Sequence, residues 1–242
     1  MFLSKAVDRR AKSAADEDRL EIETVICARI RSAVSAGDLP PGAKLPEEAV
    51  AESFSANRSQ VRAAFQRLAF EGLLDLQKNR GAFVARPSVK EAQDVFEARR
   101  VIERVTTEIV TRTILTHQLG ALRRRIDEQK LHWTRGDRHA AISAISGFHL
   151  SLAALAHNGA LTTALERLII RTSLILGLYG TTRTFAALPQ HYEALMDLVE
   201  SGQSLVASRQ IERCLFAIES GLDFYPPLRR EVDLKRLMRT VG

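Results

Sequence analysis

Two cysteines, Cys27 and Cys214, are all that this 242-residue chain contains. That is too few for a disulfide framework, and a reducing compartment is the simpler expectation. No apolar run approaches the ~20 residues that a membrane span needs. Residues 1–19 are too charged to hold the apolar segment of a secretory signal. These absences lead to the expectation of a soluble, cytoplasmic chain with no membrane partner. Also missing are a Glu-x-x-His pair, a Gly-rich phosphate loop, a serine nucleophile elbow and paired carboxylates in one cleft. Their absence removes the usual sequence grounds for an enzyme. There is no internal repeat and no low-complexity segment.

The length suffices for two ordinary domains, each with its own core. The balance is basic, 35 Lys+Arg against 29 Asp+Glu, which permits an anionic partner without demanding one. Arginine far outnumbers lysine, and a planar guanidinium suits phosphates and base edges. The charge is unevenly placed. Residues 55–86 carry Arg58, Arg62, Arg67, Lys78, Arg80 and Arg86 against Glu71 and Asp75, a net +4 over 32 residues.

Residues 1–17 mix charged and small residues without a helical stripe and read as a frayed arm. From Leu20, the residues Ile22, Val25, Ile26, Arg29, Ile30 and Ala33 recur at helical spacing until Gly37. Asp38-Leu39-Pro40-Pro41-Gly42 predicts a rigid turn. Pro46 with Glu47 and Glu48 predicts a helix start, and Val50, Ala51 and Phe54 its inner face. That helix stops near Ser55. Asn57 and Gln60, three apart, predict a capping box for the next helix, which ends at Gly72. Leu73–Leu76 and Ala82–Ala85 predict strands around a Lys78–Gly81 tip. Beyond Pro87 the pattern is helical, with predicted helices near 89–116, 118–135, 137–156, 159–179, 184–200 and 203–222, then a basic tail over 223–242.

The segment 37–86 therefore has the parts of a DNA-binding device. Val61, Phe65 and Leu68 anchor one face of its second helix, while Arg58, Ser59 and Arg62 crowd the outer N-terminal face. A guanidinium there can reach guanine O6 and N7 together, and a basic glycine hairpin can press on the neighbouring backbone. The order and spacing of Leu39-Pro40-Pro41-Gly42, Glu47-Glu48-Ala49-Val50-Ala51, Asn57-Arg58-Ser59-Gln60-Val61-Arg62, Arg67-Leu68, Glu71-Gly72-Leu73 and Arg80-Gly81-Ala82-Phe83-Val84 resemble the winged helix-turn-helix of GntR-family transcriptional regulators. The resemblance implies DNA contacts at Arg58, Ser59, Arg62, Arg67 and Gly81, with Arg80 on a phosphate. Some FadR-subfamily members place one more DNA-contacting arginine at the start of the first motif helix, where this chain has Glu48-Ala49.

Residues ~90–222 resemble, more loosely, the all-helical FCD effector domain of the FadR subfamily, through Phe96–Glu103, Phe148-His149 with Asn158, and the Gly202 turn. This implies a homodimer, a ligand pocket inside the bundle and, often, a divalent metal held by one Asp and three His. His149 fits one ligand position. Ile145 replaces the Asp, Cys214 replaces a His, and the remaining position falls on Tyr192 with His191 beside it. Two alternatives stand: His149, His191 and Cys214 bind zinc, or His149, Tyr192 and Cys214 pack without metal. Arg99 and Arg171 are candidates to face a carboxylate ligand alongside His149 and Tyr192.

The expected fold is mainly α: a winged helix-turn-helix of three helices and a small β-hairpin over 18–86, then an antiparallel bundle of about six helices over 87–222. The expected function is a ligand-responsive regulator, more readily a repressor. It would bind a near-palindromic double-stranded operator as a dimer and respond to an organic-acid metabolite. The competing readings are a bundle-core metal enzyme and an effector-free architectural DNA-binding protein.

Overall fold

The computed structural model describes residues 21–34, 38–186 and 188–224, in two compact units that divide between Ala85 and Arg86. The expected N-terminal arm and nearly all of the C-terminal tail lie outside the described residues. None of the described helices is long and apolar enough to cross a membrane.

In the first unit, helix α1 (residues 21–34) buries Ile26, Cys27, Ile30 and Val34. The stripe is rotated from the sequence expectation, because Val25 is half exposed and Cys27 occupies the core. Strand β1 (Lys44–Leu45) follows the proline turn, then α2 (Glu47–Ser53), α3 (Arg58–Phe70), β2 (Leu74–Gln77) and β3 (Gly81–Val84). β2 and β3 pair antiparallel with Leu74 opposite Val84. β1 adds a third strand on the far side of β3, in the order β1-β3-β2. That short strand has no signal in the sequence, since two residues cannot show a period.

The turn into α3 is tightly specified. The Asn57 side chain accepts from the Gln60 N–H at 3.0 Å, and the Gln60 side chain accepts from the Asn57 N–H at 2.9 Å. This reciprocal cap satisfies donors that a helix start leaves unpaired. Val61, Ala64, Phe65 and Leu68 then bury one face of α3 towards α2 and β2, leaving the opposite face to solvent. At the hairpin tip Gly81 has φ +97°, a conformation that side-chain-bearing residues rarely adopt.

The second unit is a helical bundle: α4 (Val89–Thr113), α5 (Thr116–Thr134), α6 (Arg138–Ala154), α7 (Gly159–Tyr179), α8 (Thr182–Ala186), α9 (Leu188–Glu200) and α10 (Ser204–Ser220). Ser88, Asp137 and Asn158 cap α4, α6 and α7 with their side chains. One continuous apolar core runs through it, including Phe96, Phe148, Phe185, Tyr192, Leu195, Ile211 and Leu215. Over the expected helix 184–200 the described residues are helical on both sides of residue 187, which lies outside them, as α8 and α9. Thr181 and Thr184 cap one another's backbone N–H groups, and both hydroxyls donate to the Gly221 carbonyl, at 2.9 and 2.6 Å. A Cβ on Gly221 would lie 2.5 Å from Thr184 Cα, so only glycine permits this approach.

Candidate nucleic-acid interface and buried polar cluster

The exposed face of α3 presents Arg58, Ser59, Arg62 and Gln66, and the hairpin tip presents Lys78, Asn79, Arg80 and Gly81. A groove of about 390 Å³ separates them, lined by Arg62, Gln66, Gln77, Asn79 and Gly81 among others. The Arg58 and Arg62 side chains are 67% and 63% exposed. Neither is without a partner. Arg58 Nη2 donates to Glu48 at 3.3 Å, and Arg62 Nε donates to Glu47 at 2.8 Å. Both acids open α2, so the turn between the helices sets the positions of both arginines. Ser59 Oγ donates to the capping Asn57 side chain at 2.5 Å. Arg80 lies over the Phe83 ring at 5.6 Å, which holds its stem against the wing.

Arg67 does not join that face. Its guanidinium lies 3.5 Å from Glu71, which is also gripped by Arg31 of α1 through Nε at 2.8 Å and Nη2 at 2.6 Å. Arg67 is five positions after Arg62, and five residues at 3.6 per turn rotate it well away.

The second unit buries a polar cluster at its centre. Arg99 and Glu103, one turn apart on α4, are 1% and 2% exposed. Arg99 Nε donates to Glu103 Oε1 at 2.7 Å, and Nη1 donates to Thr172 Oγ1 at 3.3 Å. The other Glu103 oxygen bonds His149 Nδ1, and His149 Nε2 bonds the Tyr192 hydroxyl at 2.8 Å. Phe148 packs edge-on against both rings. Burial alone would raise the Glu103 carboxyl, but Arg99 foremost, with His149, holds it down at about 2. Burial depresses His149 below its ordinary value despite Glu103, and raises the Tyr192 phenol. The consistent arrangement is a neutral imidazole that donates from Nδ1 to the carboxylate and accepts at Nε2 from Tyr192.

Among the described residues of this unit, three polar side chains are buried with atoms that lack a partner: Arg99 at Nη2, Thr107 at its hydroxyl, and Gln129 at both ends of its amide. Of the expected pocket residues, Arg99, His149 and Tyr192 come together. Arg171 instead bonds Glu91, and the next residue, Thr172, is the one that meets Arg99. Glu103 and Thr172 were not expected. A signal for Glu103 exists, because it follows Arg99 by four on the same stripe as Ala92, Val95 and Phe96.

Of the two alternatives, the zinc set of His149, His191 and Cys214 is not drawn together as a group of metal ligands. Both ring nitrogens of His149 are engaged by Glu103 and Tyr192. His191 offers its backbone carbonyl, which accepts from Cys214 Sγ at 3.6 Å and Gln210 at 3.1 Å. Ile145, one turn before His149, contributes only apolar surface. Among the described residues no three His, Cys, Asp or Glu side chains are grouped to hold a metal ion.

Comparison with known proteins agrees with this two-part reading. Residues 23–84 match the family model "Bacterial regulatory proteins, gntR family", and residues 94–217 match the FCD domain. This chain belongs to the GntR family of bacterial regulatory proteins. With its FCD domain it has the FadR-like architecture, a winged helix-turn-helix joined to a ligand-binding helical domain. Among its relatives are the HTH-type transcriptional regulator YdhC of Bacillus subtilis, 25% identical over 67% of this chain and 74% of that one. Another is the probable D-xylose utilization operon transcriptional repressor of Paenarthrobacter nicotinovorans, 23% identical over 78% of this chain and 84% of that one. The fold is shared with the GntR structure from Rhodococcus sp. RHA1, which has a TM-score of 0.74 at 21% identity over 82% of this chain and 95% of that one. It is also shared with E. coli McbR/YncC, at a TM-score of 0.70 and 17% identity over 82% and 93%. The family and these relatives are transcriptional regulators, not enzymes.

Proposed function

We propose that this regulator is a repressor that binds a near-palindromic operator as a homodimer in the cytoplasm and is released or retained by a small organic acid. The observation that carries the DNA half is the exposed row Arg58–Ser59–Arg62 on a capped, core-anchored helix beside a basic wing. Arg58 and Arg62 would read base edges, and Ser59, Arg80 and the Gly81 tip would meet phosphate and minor groove. Arg67 acts indirectly, through its hold on Glu71. Repression is favoured because the Paenarthrobacter relative, and the B. subtilis relative NagR, which matches over 68 residues, bear that description. Dimerisation is supported by Val101 and Val105, apolar residues one turn apart on α4 that are 63% and 45% exposed.

The effector half rests on Arg99, whose Nη2 is buried without an acceptor. A carboxylate oxygen supplies one. Arg99 and Glu103 cancel in charge, so an entering acid is balanced by proton uptake on His149. The test has two arms. Selection from a random duplex pool should enrich a near-palindromic site, bound more tightly as salt falls. A panel of small carboxylates should contain one that raises the melting temperature of wild type, more at pH 6 than at pH 8, but not that of Arg99→Met. Failure of the first arm removes DNA recognition. Failure of the second removes the acid.

A further inference from the structure

The recognition face carries an acid that the proposed contacts leave unused. Glu48 stands on the first turn of α2 with its side chain 83% exposed, and its Oε1 accepts from Arg58 Nη2 at 3.3 Å. An ion pair that open adds little to stability, so the fold does not require it. Its neighbour Glu47 differs: it is 31% exposed, lines the groove and grips Arg62 through Nε. A carboxylate on the surface that meets a duplex is repelled by the phosphates, and its desolvation is costly unless a donor replaces the lost water.

The major-groove edge of a G·C pair provides that donor. Guanine offers the acceptors N7 and O6, and the cytosine N4 amino group lies next to O6. The order across the pair is acceptor, acceptor, donor. Arg58 beside Glu48 presents the complementary order, guanidinium donors followed by a carboxylate acceptor. An A·T pair places the adenine amino donor between two acceptors, which opposes the arginine. We propose that Arg58 and Glu48 read one G·C pair in each half-site as a unit, with Glu48 requiring the cytosine amino group. The inference rests on the DNA reading above, with α3 in the major groove.

The experiment uses the full chain, wild type and Glu48→Ala, on the site that wild type enriches from a random duplex pool. At each position where that site holds G·C, the cytosine is replaced by 2-pyrimidinone, which lacks the N4 amino group. At one position per half-site, wild type should lose roughly five- to 100-fold in affinity, while Glu48→Ala should be nearly indifferent. Arg58→Ala should keep part of the wild-type sensitivity, because Glu48 remains. The proposal is overturned if wild type and Glu48→Ala respond alike at every position. It is equally overturned if Glu48→Ala tightens binding to all sequences by one factor, which would make Glu48 a charge screen. If wild type enriches no site at all, the DNA reading fails and this inference falls with it, an outcome distinct from equal responses on an enriched site.

Discussion

Arg62 and Glu47 meet across the turn of the DNA-binding motif, Arg62 Nε donating to Glu47 Oε2 at 2.8 Å. The contact holds by one edge a guanidinium that is otherwise 63% exposed. A side chain already ordered in the free protein loses less rotamer freedom on binding. Arg62→Ala is therefore expected to weaken specific binding and to relax base choice at one position of each half-site by about 1–3 kcal/mol. Arg80→Ala should instead weaken binding evenly across sequences and lower the salt slope by about one. Titrations of matched and single-mismatch duplexes at several salt concentrations distinguish the two effects.

The reciprocal cap between Asn57 and Gln60 also supports function, because it fixes where the recognition helix begins. Asn57→Ala is expected to cost about 1 kcal/mol of stability and to remove the acceptor for Ser59. Urea unfolding would measure the loss. A change below about 0.3 kcal/mol would mean that water caps the helix equally well.

Arg99 and Glu103 should prove strongly coupled. Replacing either alone leaves a buried charge without its partner, at a cost of roughly 3–5 kcal/mol. The double variant Arg99→Met with Glu103→Leu removes both charges and should be clearly more stable than the two single losses added together. A double-mutant cycle by urea unfolding tests this, and additive losses would contradict the pairing.

Stability should depend on pH in a defined direction. The folded state depresses His149, so the unfolded chain binds that proton more readily. The associated stability is complete above the unfolded value near 6.5 and declines as pH falls below it. Glu103 is also depressed, to about 2. Its contribution is present above the unfolded carboxylate value of about 4.3 and is lost as pH falls towards 2. The urea midpoint should therefore fall between pH 6.5 and 5, and His149→Gln should flatten that limb while leaving the lower one.

Most elements were legible in the sequence because their signals are local. Asn57 with Gln60, Pro46 with two acids and Gly81 after a basic tip act within one turn of themselves. Apolar period and breaks placed α4 to α7 and α10 within a few residues. The rotation of α1 that buries Cys27 and exposes Val25 was not legible. A stripe with apolar residues at both positions cannot choose its own angle until a second surface packs against it.

The chain by itself determined a capped, basic recognition helix with a glycine-tipped wing, followed by a helical body with Ile145 where the family resemblance implies an Asp. Only the tertiary structure decided which polar groups meet across helices. Glu103 lies 46 positions from His149, and Arg99 lies 73 from Thr172. Pairings at that separation depend on how whole helices seat against one another, which no local pattern encodes. Packing made His149 the neighbour of a carboxylate and a phenol, turned Arg171 towards Glu91, and brought Arg31 of α1 to Glu71.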